Sequence, residues 1–189
     1  MFPVNHLRPS SGNDRGPGVV DFPACRSKAA TAAGGSMEIS KLYVRRSALI
    51  RASVERVWDE FSTFARIAAW LDRGHKLHEF EPRPGGKVRL SVDIDGTQRF
   101  FGGTIVDFQP RAEVSFKDDW EDKDFAPFAS GSSYWTFRLS PIDGETLVEL
   151  FHHGYESDGD RAAQSVEDYE NAWDNKHLKK LREIVESDS

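Results

Sequence analysis

The sequence predicts an α+β fold: an antiparallel sheet of about six or seven strands wrapped around a long C-terminal helix, with two short helices after the first strand. Three observations carry the prediction. Period-two apolar alternation recurs in short runs between about residues 41 and 153, while helix-period patterns are confined to residues 53–70 and 161–186. Elements segregated in this way imply α+β rather than α/β. The last helix, roughly 39 Å long at 1.5 Å per residue, is the only element long enough to cover the apolar face of such a sheet.

In order along the chain, Lys41–Arg51 reads as a strand through Leu42, Val44, Ala48 and Ile50, with Arg46 interrupting the apolar phase. Ser53 caps a helix whose Val54, Val57, Trp58 and Phe61 fall at i, i+3, i+4, i+7. Thr63 can cap a second, short helix carrying Ile67 and Trp70. Strands follow at His75–Glu81, around Val88, Leu90 and Val92, and over Gln98–Phe108, where Gly102-Gly103 suggests a bulge or sharp bend. Ala112–Trp120 puts Val114, Phe116, Asp118 and Trp120 in one phase. Ser132–Ser140 alternates around Trp135 and Phe137, and Glu145–His153 does so around Val148, Leu150 and His152. A single helix from about Arg161 to Glu186 then presents Val166, Tyr169, Trp173, His177 and Ile184 near one face.

Residues 1–36, rich in Gly, Ser, Pro and Ala with no apolar period, read as a disordered tail, leaving 37–189 as one domain. Either the tail is a flexible appendage or Met37 is the true start; both readings stand. The formal charge of the whole chain is −6. The tail holds four basic and two acidic residues, so residues 37–189 carry 21 of the 25 basic and 29 of the 31 acidic side chains, or −8. That surface repels phosphate backbones and argues against nucleic acid as a partner. No apolar run is long enough for a signal peptide or a membrane span, and Cys25 is the only cysteine. The expectation is a cytoplasmic protein without an intramolecular disulfide, not bound to a membrane.

Five Trp and thirteen Phe are more than a core of this size needs, and the surplus points to a lined pocket. The candidates are Trp58, Trp70, Phe101, Phe116, Trp120, Trp135, Phe137, His152, Tyr169 and Trp173. The competing reading is that these rings only fill the core. Arg46, Asp118 and His152 are polar residues in apolar phases, and each needs a partner, water or an open mouth. They could orient a polar head group or serve acid–base chemistry; alternatively they sit at strand ends in solvent. Because Asp118 opens an acidic run, at most one of Asp118 and His152 is expected to face a cavity, and the two are not expected to touch. His75 with His78, and His152 with His153, point to opposite faces of their strands, so no metal site is expected. The glycine pairs lack a following helix, which argues against a phosphate cradle, and no nucleophile elbow or ordered triad is visible.

Ile50-Arg-Ala-Ser-Val-Glu-Arg-Val-Trp58 leading into Trp70, then Gly154-Tyr155 and Tyr169-Glu-Asn-Ala-Trp173 with Leu178 and Leu181, resembles the START-like superfamily, also called SRPBCC, whose fold is the helix grip. The likeness is closest to the branch named after the activator of heat shock protein 90 ATPase and covers about residues 41–186. The acidic loop Asp118–Asp124 and Phe125-Ala-Pro-Phe128 depart from that pattern. The resemblance implies a fold and a cavity but no shared catalytic set. The expected function is binding of a small hydrophobic ligand between sheet and helix, without a cofactor and with room for a homodimer. A polyketide cyclase-like or aromatase-like enzyme is the alternative, with Asp118 or His152 moving protons. A chaperone-interaction module is a further one, disfavoured because residues 1–36 are too short and too polar to form the extra N-terminal domain that the resemblance attaches to co-chaperones.

Overall fold

The computed structural model describes residues 42–71, 74–122 and 132–187, so the expectation for residues 1–36 lies outside the described residues. Strand β1 (Tyr43–Ile50) leads through helices α1 (Val54–Ser62) and α2 (Ile67–Leu71) into six further strands. These are β2 (Lys76–Phe80), β3 (Lys87–Ile94), β4 (Thr97–Gln109), β5 (Glu113–Trp120), β6 (Ser133–Ile142) and β7 (Glu145–His153). A 3₁₀ segment (Tyr155–Arg161), α3 (Ala162–Ala172) and α4 (Lys176–Ser187) complete the described chain. The strands form one seven-stranded antiparallel sheet in the order β1-β7-β6-β5-β4-β3-β2. It is a meander from β2 to β7, with β1 laid on the free edge of β7. With the helices gathered on the apolar side, this is the helix-grip fold.

Local chemistry explains the helical corner. The Ser53 hydroxyl accepts the Arg56 N–H (3.4 Å) and starts α1. Its apolar stripe buries Val57, Trp58 and Phe61. Thr63 Oγ1 accepts the Ala65 N–H (3.3 Å) just ahead of α2, and Ile67, Trp70 and Leu71 turn inward from that helix. Phe61, Phe64 and Trp70 meet Phe137 of β6 with ring centroids 5.2–6.1 Å apart. This half of the interior is filled with rings, each worth about 1.5–3 kcal/mol relative to exposure.

The sheet register carries the other half. On the inner face Phe116 stands opposite Trp135, Trp135 opposite His152, and His152 opposite Val44. Asp118 pairs with Ser133, and Phe101 with Trp120. The β4–β5 irregularity falls between Ile105 and Asp107, just beyond the two glycines. Gly102 serves close approach instead: with φ +136°, a Cβ there would lie 2.3 Å from the Val88 carbonyl oxygen.

The C-terminal helix differs in one respect from the expected single rod: it breaks between Ala172 and Lys176. Trp173 adopts ψ 69°, although its N–H still bonds the Tyr169 carbonyl (2.8 Å). The Asp174 carboxylate accepts the Lys176 N–H (2.9 Å) and helps start α4. Arg46 seals the break from β1, donating through Nε to the Trp173 carbonyl (2.6 Å) and through Nη2 to the Glu170 carbonyl (2.9 Å). A residue that interrupts the apolar phase of its strand thereby satisfies carbonyls that a helix end leaves open.

Candidate functional site

Where the rings of α1 and α2 stop, the space between β3–β6 and the α3–α4 break is open. It forms a cavity of about 320 Å³. Five of the ten candidate residues line it: Phe101, Trp120, Trp135, Tyr169 and Trp173. Phe101 stacks on Trp120 (4.8 Å between ring centroids, 24°), and Trp135 meets Trp173 edge-on (4.7 Å, 74°). The other five lie elsewhere. Trp58 packs on Phe108 (5.4 Å), and Trp70, Phe116 and Phe137 belong to the filled ring cluster. His152 is fully buried behind Trp135 and Trp173.

The lining also includes residues that sequence reasoning did not single out for the site. Val92, Asp93, Ile94 and Asp95 come from β3 and its turn, and His75 from the segment before β2. Leu71, Ala172 and His177 come from the helices. His177 stood on the same helical stripe as Tyr169 and Trp173, so a signal existed for it. Asp93 and Asp95 had none, because alternation says nothing about what folds over a turn.

Behind the aromatic wall lies a polar cluster. Asp118 and His152 are both fully buried, which sets aside the reading that they sit at strand ends in solvent. They also touch, contrary to expectation: His152 Nε2 is 3.6 Å from Asp118 Oδ2. The cause is register, since Asp118 pairs with Ser133, and the neighbouring inward pair on β6 and β7 is Trp135 with His152. Neither residue lines the cavity.

The hydrogen bonds fix the protons. Tyr169 donates to Asp118 Oδ2 (2.7 Å) and accepts from Trp120 Nε1 (3.1 Å). Trp173 Nε1 donates to His152 Nδ1 (3.1 Å), so the imidazole is neutral with its proton on Nε2, which faces Ser133 Oγ (2.7 Å). Burial holds His152 well below the ordinary histidine range. Burial likewise raises the Asp118 carboxyl to about 7, against the opposing pull of Tyr169, Trp135 and Ser133. The Trp135 N–H favours the carboxylate without forming a well-aligned hydrogen bond, and Asp118 Oδ1 has no hydrogen-bond partner among the described residues. Tyr169 is pushed far above the usual phenol range by burial and by the neighbouring Asp118.

No group of three or more His, Cys, Asp or Glu suited to a metal occurs among the described residues. No helix among them is long and apolar enough to cross a membrane.

Comparison with known proteins gives a family and a fold. The family described as Activator of Hsp90 ATPase homolog 1-like protein matches residues 51–186. Among solved structures, protein CV1439 from Chromobacterium violaceum is 23% identical with a TM-score of 0.62, over 76% of this chain and 96% of that one. Protein MLL2253 from Mesorhizobium loti is 18% identical with a TM-score of 0.56, over 78% of this chain and 98% of its own. DynU16, a protein of the dynemicin biosynthetic locus, is 18% identical with a TM-score of 0.53, over 79% of this chain and 49% of that one. No curated protein matches.

Proposed function

This chain belongs to the Activator of Hsp90 ATPase homolog 1-like family, and we propose that it binds a small hydrophobic molecule in the cavity between sheet and C-terminal helices. The observation that carries the reading is the 320 Å³ cavity walled by Phe101, Trp120, Trp135, Tyr169 and Trp173. Pockets for small ligands are concave, largely apolar and rich in aromatic rings, with a few polar groups placed to orient the guest. Here the polar groups lie among the lining residues His75, Asp93, Asp95 and His177. An apolar body would sit against the rings with its polar end among these four.

A second reading, an enzyme of cyclase type, is favoured by one observation: a carboxyl raised to about 7 beside a neutral imidazole. A group so tuned could transfer protons near neutral pH, and DynU16, from a biosynthetic locus, shares the fold. Two facts keep binding ahead. Neither Asp118 nor His152 reaches the cavity, and their closest atoms, at 3.6 Å, lie beyond hydrogen-bond range.

The test is a fluorescence titration of the native protein with N-phenyl-1-naphthylamine, a neutral apolar dye. Saturable binding at micromolar dye supports the reading; no binding at any accessible concentration overturns it.

A further inference from the structure

We infer that the cavity selects hydrophobic amines: an apolar body carrying one protonated nitrogen, preferred over neutral and acidic molecules of the same shape. This rests on the binding reading above and adds the charge of the guest.

The first support is the donor inventory of the wall. The indole N–H groups of Trp120 and Trp173 are engaged by Tyr169 and His152, and the Tyr169 hydroxyl donates to Asp118. These three side chains have no donor left for a carboxylate or phosphate head group, and the remaining indole N–H of the wall, on Trp135, has no well-aligned partner but is buried beside Asp118. Their rings keep the negative face of the aromatic quadrupole, which attracts an ammonium within about 6 Å.

The second support is the charge around the cavity. Its lining includes the carboxylates of Asp93 and Asp95 but no Lys or Arg among the described residues. The basic lining groups are two imidazoles, and His177 Nδ1 already faces the Asp174 carboxylate at 3.5 Å. One oxygen of Asp93 accepts the Gly96 N–H (3.0 Å), and a carboxylate has lone pairs enough for a further donor.

The third support lies behind the wall. Asp118, with one oxygen unpartnered, is not paired with any Lys or Arg among the described residues. Its carboxyl, raised to about 7 and so only about half ionised at pH 7, bonds Tyr169 of the cavity wall and adds a partial negative charge behind it. An acidic guest would lose its hydration with no Lys or Arg among the described lining residues to replace it, while an ammonium meets rings and carboxylates together. Asp93 and Asp95 are exposed, so solvent and salt weaken their part.

The experiment uses the full chain at pH 7 and low salt, with the same neutral dye displaced by three naphthalenes of matched size. These are 2-(aminomethyl)naphthalene, 2-ethylnaphthalene and 2-naphthoic acid. The amine is expected to bind on the order of tenfold tighter than the neutral compound, and the acid weakest. In D93N/D95N, which keeps the turn acceptor and tolerates the positive φ of Asp95, the amine should lose about threefold relative to the ethyl compound. An acid that binds as well as the amine overturns the inference, and so does an amine no tighter than 2-ethylnaphthalene; the neutral compound still binding leaves the cavity reading intact. If neither the dye nor any naphthalene binds, the cavity reading falls and takes the inference with it.

Discussion

Asp118 and His152 place opposite demands on the fold as pH changes. The carboxyl of Asp118 is raised from 3.8 to about 7, so the native state keeps a proton that the unfolded chain releases above about 4. Its contribution is full below that point and is lost as pH rises to 7, on the order of 4 kcal/mol across the interval. His152 is lowered from 6.5, so the unfolded chain takes up a proton there that the native state refuses. Its contribution is present above 6.5 and is lost as pH falls. Between about pH 4 and 6.5 the two effects offset each other. Asp118→Asn removes one side of that balance, so the variant should lose stability from pH 6.5 to 4.5 more steeply than the parent. Urea unfolding at several pH values checks this, and parallel curves for the two proteins would refute it. The sequence showed Arg46, Asp118 and His152 as polar breaks in apolar phases. It could not show that Arg46 meets a helix end while Asp118 and His152 meet each other, because both contacts join strands to elements far along the chain.

At the scale of elements, the strands and the α1–α2 corner were legible because each writes its own period. The break between α3 and α4 was not, since Trp173, Asp174 and Asn175 include no Gly or Pro and the apolar stripe runs straight through them. Asp174 was the available cue, an Asp well placed to accept the Lys176 N–H. What holds the break is a residue more than a hundred positions earlier. Arg46 bonds two carbonyls at the end of α3, and hydrogen bonds from a charged donor contribute more than neutral ones. Arg46→Ala should therefore cost about 2–3 kcal/mol. Amide hydrogen exchange should quicken mainly at residues 169–176, with the centre of the sheet little changed. Uniform acceleration over the whole domain would show instead that Arg46 serves global stability alone.

For the molecule as a whole, the sequence revealed the helix grip and its surplus of aromatic rings but not how those rings divide. Trp58 and Trp173 are 7% and 4% exposed, equally plausible as wall or as filling. The division follows from which elements meet: α1 and α2 press rings into one half of the sheet, whereas the broken C-terminal helix packs on β1 and leaves a gap against β3–β6. Of these two, Trp173 lines that gap and Trp58 does not. Trp58→Leu and Trp173→Leu should each destabilise the domain, by less than the about 3–5 kcal/mol of a full Trp→Ala truncation. Their effects on N-phenyl-1-naphthylamine should differ. Trp173→Leu removes a wall of the cavity and the donor to His152 Nδ1, so dye affinity should fall severalfold. Trp58→Leu opens space against Phe108, away from the dye, and affinity should stay within about twofold of the parent once both variants are compared well below their melting temperatures. Equal losses from the two substitutions would mean that the dye reads general loosening of the interior rather than the cavity between sheet and helix.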